Sequence, residues 1–189
     1  MLKVVATNIY FATIQNFKLI TAMKPINLRS FAQKVVHNKK AFKRYLGKVE
    51  KNPPKDLYQT LLEIDKEVWA ETDCLSCANC CKKMTPTFTA TDITRIAKHL
   101  KITPTAFKEK WLYQDKKDKD WMNIKQPCQF LDFKTNMCNI YEVRPADCAG
   151  FPHFTKKNPV LYLHVHQQNV AYCPATYSMV EKMMERIDV

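Results

Sequence analysis

Residues 74–81 read Cys74-Leu75-Ser76-Cys77-Ala78-Asn79-Cys80-Cys81 and hold four of the chain's eight cysteines. In a Cys-x-x-Cys step each thiolate clears the other's backbone, so a tight turn can aim both at one metal. Two steps in succession set Cys74, Cys77 and Cys80 around a common point. Cys80 and Cys81 are neighbours whose side chains point apart, so either one of them is no ligand or the pair serves two centres. Cys128, Cys138 and Cys148, spaced ten apart, follow with Cys173. A fourth thiolate from a distant segment would complete a four-thiolate shell, which suits a [4Fe–4S] cluster. Cys173-Pro174 is the Cys-Pro step that ends many such ligand sets. A structural zinc site uses the same spacing and is the alternative. All eight cysteines are candidate metal ligands, enough for two four-cysteine sites, and the spacing alone does not divide them.

Competing uses of the thiols fit less well. Residues 1–22 lack the uninterrupted apolar core and small-residue cleavage site of a secretory leader, and four cysteines bunched in eight residues do not resemble a disulfide framework. A reducing, cytoplasmic setting is expected. Catalytic thiol chemistry lacks an evident nucleophile–base pair. The first 22 residues read as an extension with little structure, and Met23 is a candidate start.

At 189 residues, 46% hydrophobic, the chain can bury a core. Two glycines exclude glycine-rich phosphate loops, and no apolar run is long enough for a spanning helix. The net charge of +12 is spread evenly, except that residues 24–51 hold nine basic residues against Glu50. A lysine-rich solvated helix face explains this better than a nucleic-acid surface. The expected partner is a protein rather than nucleic acid.

Around the cysteines the expected class is α+β, mainly helical: a small metal-centred domain over 74–189 with short strands, preceded by a helical arm over 23–73. Phe31, Val35, Phe42, Tyr45, Leu46 and Val49 predict a helix over 28–50, ended by Asn52-Pro53-Pro54. Leu57, Leu61, Ile64 and Val68 predict a second, the two forming a helical hairpin. Thr89 or Thr91 caps a helix to Leu100, and Thr103-Pro104 starts another. Asp115–Asp120 reads as an exposed loop. Strands are expected at Gln129–Asp132, Met137–Tyr141 and 160–167, and a closing helix at Pro174–Ile187 with Tyr177, Val180, Met184 and Ile187 inward. In the third strand His164 and His166 would share a face, more readily as a polar strand face than as ligands. His153 lies close in sequence to Cys148. Arg144 stands where it could offset thiolate charge.

The ordered motifs Cys74-x-x-Cys77-x-x-Cys80-Cys81, Pro127-Cys128-Gln129-Phe130-Leu131, Cys138-Asn139-Ile140-Tyr141-Glu142-Val143-Arg144-Pro145-x-x-Cys148 and Phe151-Pro152 resemble the CxxCxxCC (YkgJ-type) cysteine-cluster family. The resemblance runs to about Cys173 and includes the helix after the cluster. It implies a zinc- or iron-chelating domain, in a family whose members are often labelled Fe–S oxidoreductases. A flagellin lysine methylase carries a related cysteine domain, but its methyl-donor site maps onto no residues here. Ala78 and Ala175 depart from the family by standing where glycine is frequent.

Overall fold

The computed structural model describes residues 25–189; the expectations for residues 1–22 and for Met23 lie outside them. In chain order the elements are α1 (Leu28–Lys51), α2 (Leu57–Glu71), α3 (Cys74–Cys77), α4 (Asn79–Lys83), β1 (Thr87–Phe88), α5 (Ala90–His99), α6 (Pro104–Trp111), β2 (Leu112–Gln114), β3 (Trp121–Asn123), α7 (Ala146–Gly150), α8 (Leu163–Asn169) and α9 (Pro174–Arg186).

Asn27 starts α1 by accepting the Ser30 amide at 3.0 Å, and Lys48 and Lys51 oppose the negative end of its dipole. Phe31, Phe42, Tyr45, Leu46 and Val49 are buried on one face, while Lys34, Lys39, Lys40 and Lys43 stand in solvent on the other. The two prolines after Asn52 end the helix. Leu57, Leu61, Ile64 and Val68 are the buried stripe of α2. Both stripes converge on the C-terminal helices: α1 packs on α8 and α9, and α2 on α9. This first core is pinned where the Tyr45 hydroxyl donates to the Met183 carbonyl at 2.7 Å and to that of Ile187 at 3.1 Å. On the closing helix Tyr177, Val180 and Ile187 are buried as expected, while Met183 is buried in place of Met184, which is 41% exposed.

A second core gathers α5, α6 and a small antiparallel sheet around Phe88, Ile93, Ile96, Phe107, Leu112 and Phe130. Thr89 and Asp92 form a complete capping box at the start of α5. Thr103 caps α6, with Pro104 at its first position. The sheet has the order β1-β3-β2, with Thr87 and Tyr113 on either side of Met122. Its strands are two or three residues long, too short to leave a periodic signal. The expected loop at Asp115–Asp120 is the turn of the β2–β3 hairpin, closed by Asp115 N–H donating to the Asp120 carbonyl at 2.8 Å.

Two strand expectations are corrected. Residues 160–167 are helical: a 3-10 turn at Pro159–Tyr162 leads into α8. Pro159 supplies the first-position proline of that turn, and the buried residues Leu163, His166, Asn169 and Val170 follow the helical repeat. The alternation of Leu161, Leu163 and Val165 loses because the partner of this segment is the side of α1. The Gln129–Asp132 and Met137–Tyr141 segments do run antiparallel, but as one bridge, Leu131 to Cys138. Pairing is confined there because Leu131 N–H folds back on the Cys128 carbonyl and Tyr141–Val143 turns into a 3-10 helix. The fold is a mainly helical α+β architecture, and the cysteines lie along the seam between its two cores.

Candidate metal centre

The cluster run folds as two single helical turns broken at one residue. Asp73 caps α3 by accepting from the Leu75 and Ser76 amides at 3.0 and 3.3 Å. Ala78 then takes a left-handed conformation, φ 47°, which costs an alanine about 1–2 kcal/mol. The reversal lets α4 start in a new direction, so that Cys74, Cys77 and Cys80 all reach one small cavity. Side-chain amides tie this turn to distant segments. Asn79 donates to the Tyr172 carbonyl at 2.7 Å, next to Cys173, and Asn136 donates to the Ser76 carbonyl at 3.1 Å.

The later cysteines arrive on separate supports. The Cys128 amide donates to the Cys81 carbonyl at 2.8 Å, and the Asn123 amide donates to the Cys128 sulfur at 3.4 Å. Cys138 is held in the Leu131 bridge. Cys148 rides on α7, which is anchored on both sides. Asp147 accepts from the Thr87 amide and pairs with His153, each at 3.0 Å. Asp92, at the start of α5, accepts from the Ala146 amide at 3.1 Å. Cys173 caps α9, its sulfur accepting from the Thr176 amide at 3.4 Å.

All eight cysteines are unbridged. A cavity of about 430 Å³ is walled by Cys74, Cys80, Cys81, Cys128, Cys138 and Cys148, with Phe88, Phe130 and Arg144 among its other residues. A smaller space of about 20 Å³ is walled by Cys74, Cys77, Cys80 and Cys173. Cys74 and Cys148 are solvent-exposed and Cys77 and Cys173 buried. Among the described residues no three His, Cys, Asp or Glu side chains are gathered tightly enough to grip a single ion; the thiols surround spaces rather than a point.

Their ionisation follows from this crowding. Burial pushes the Cys74 thiol up to about 11, helped by Cys173 and Cys77. Burial also raises Cys77, Cys128, Cys138, Cys148 and Cys173. Cys80 and Cys81, whose sulfurs are 4.0 Å apart, split. Donating to its neighbour raises Cys80, and accepting that bond lowers Cys81. Most of these thiols therefore keep their protons at neutral pH, and a metal that takes them as thiolates must release protons. The donor set, eight sulfurs around two contiguous spaces, fits a thiophilic metal or cluster.

Arg144 lies over the Tyr141 ring at 3.9 Å and donates to the Tyr141 carbonyl at 2.8 Å, and its charge eases ionisation of Cys138. His153 reaches the cysteines only through Asp147. The histidines of α8 do not share a face: His164 is exposed and His166 fully buried against Phe154, ring centroids 4.2 Å apart. Burial drops His166 to about 3, and neither nitrogen has a partner. Sequence reasoning missed Asn79, Asn123 and Asn136 as organisers of the site. Their only signal was proximity to cysteines in the chain.

A family description, the CxxCxxCC "putative zinc- or iron-chelating domain", matches residues 73–174. An uncharacterized protein of Methanocaldococcus jannaschii is 31% identical over 106 residues, covering 55% of this chain and 57% of that protein. The chain thus spans little more than half the length of that relative. No solved structure matches the chain.

Proposed function

Because the chain belongs to the CxxCxxCC family of zinc- or iron-chelating domains, we propose that it is an iron–sulfur protein whose eight cysteines hold the metal, with a redox or modification-associated role. The observation that carries this reading is the placement of all eight unbridged thiols around two contiguous cavities. A lone zinc ion draws four sulfurs to about 2.3 Å of one point, whereas a cluster spreads its thiolates around a multi-atom body. The larger cavity supports the second pattern. When bound, such a centre supplies one-electron redox capacity.

The chain's own residues would tune it. Arg144 places a positive charge beside Cys138, and Asn123 donates to the Cys128 sulfur at 3.4 Å; both stabilise thiolate. Phe88, Phe130 and Ile140 keep much of the cavity wall apolar. The helices before Cys74 act as a scaffold that holds α9, and with it Cys173, in place. The unpaired thiols suit a reducing compartment such as the cytoplasm.

The exposed lysine face of α1 supports a second reading, a zinc-stabilised interaction module using that surface. Anaerobic purification with elemental analysis and an absorption spectrum separates the two. Iron and acid-labile sulfide in near-equal amounts, with absorption at about 400 nm, is the expected outcome. Zinc alone in a colourless protein overturns the iron–sulfur reading in favour of a zinc-stabilised domain, and moves the search to partners of the lysine face.

A further inference from the structure

The two cavities share a wall. Cys77 and Cys173 border only the small one, while Cys81, Cys128, Cys138 and Cys148 border only the large one. Cys74 and Cys80 edge both, because the α3–α4 turn is the partition between them. We propose that the eight cysteines form two separate four-thiolate metal centres, Cys74/Cys77/Cys80/Cys173 and Cys81/Cys128/Cys138/Cys148, divided at the Cys80–Cys81 peptide. This deepens the chelating function proposed above and rests on it.

Two further observations place Cys74 and Cys80 with the first set. Both sit in the α3–α4 turn whose Asn79 is tied to Tyr172, one residue before Cys173. Although the Cys80 and Cys81 sulfurs approach to 4.0 Å, Cys80 also borders the small cavity, whereas Cys81 borders the large one alone. The Cys81 carbonyl accepts from the Cys128 amide at 2.8 Å, which fixes the other side of the division.

The two centres differ in access. The first is the tighter: Cys77 and Cys173 are each 8% exposed, Cys74 stands at its solvent edge, and the space between the walls is about 20 Å³. It joins the cysteine turn to α9 and the helical core. The second faces the 430 Å³ cavity with Cys148 exposed, and it joins the sheet core to α7. The first is structural; the second is the one a reductant, chelator or substrate meets.

Cobalt(II) tests the partition whatever the native metal is, because its thiolate charge-transfer bands report sulfur ligation and its d–d bands report tetrahedral geometry. Anaerobic metal-free protein should take up about two cobalt ions per chain by native mass spectrometry. The doubles C77S/C173S and C128S/C148S should each retain about one, and only the second of these should lose the ion that chelator strips first from the wild type. One cobalt per wild-type chain overturns the proposal. So does loss of all cobalt from either double variant that keeps its helical circular dichroism. Should a double variant fail to fold, the wild-type count decides alone. Absence of iron and sulfide from protein as isolated overturns the iron–sulfur reading and leaves the cobalt count, and the partition, standing.

Discussion

Asp92 should be worth more to this protein than any surface ion pair. Its carboxylate is 1% exposed and accepts four hydrogen bonds: the Thr89 amide at 3.0 Å, the Thr89 hydroxyl at 2.7 Å, Arg95 at 2.6 Å and the Ala146 amide at 3.1 Å. Arg95 also donates to the Arg144 carbonyl at 2.9 Å. One side chain therefore completes the capping box of α5 and pins the start of α7, which carries Cys148. Asp92→Ala leaves the Thr89 cap on the residue 92 amide but removes the reciprocal half of the capping box, the bonds from the Thr89 amide and hydroxyl, at a cost of about 1 kcal/mol. The bond from the Ala146 amide to a charged acceptor adds roughly 1.5–3 kcal/mol. Arg95 is 40% exposed, so that pair adds under about 1 kcal/mol. The total is about 2.5–5 kcal/mol, or a fall in Tm of about 10 °C for a chain of this size. Thermal and urea unfolding followed by circular dichroism measure it. Burial opposes ionisation of Asp92, but the hydrogen bonds from Thr89, Arg95 and Ala146 outweigh it and hold its pKa below the ordinary value. Its stabilisation is thus complete above about pH 4 and is lost as pH falls through the lowered folded pKa. Wild type and variant should converge in acid. A loss under about 1 kcal/mol at neutral pH would refute the reasoning.

Three further perturbations have defined outcomes. Tyr45→Phe removes a buried donor from the Met183 and Ile187 carbonyls and should cost about 1 kcal/mol in urea unfolding. Burial raises the Tyr45 phenol to about 12, so wild-type stability should fall as pH rises past the ordinary tyrosine range, and the Phe variant should lose that component. His166 is buried and neutral, its pKa dropped by burial to about 3. The unfolded chain binds its proton first, so stability should fall as pH drops from about 6.5 toward 3, by up to about 1.4 kcal/mol per pH unit. Replacing His166 with Leu should flatten that part of the stability–pH curve, and an unchanged slope would remove His166 from the account. Arg144→Gln should make the midpoint potential of an iron–sulfur centre more negative while leaving metal content intact, measured by anaerobic redox titration; an unmoved potential would end the charge-balancing role.

The sequence by itself determined the long helices and the donor set. In α1, α2 and α5 the apolar period, the proline breaks and the Thr–Asp cap are local signals, and the buried residues are those the period selects. Eight thiols in family-like order likewise needed no coordinates. Only the tertiary structure decided the rest, because the deciding interactions span long separations in the chain. Residues 160–167 carry both an alternating and a helical pattern, and packing against α1 selects the helix. Strands of two or three residues exist only because β3 supplies partners on both edges. The proposed grouping of the cysteines depends on a left-handed Ala78 and on hydrogen bonds such as that donated by the Asn79 side-chain amide to the Tyr172 carbonyl, 93 residues away. Spacing along a chain shows which thiols can reach a common turn, but which distant sulfur meets them is a property of how the two cores meet.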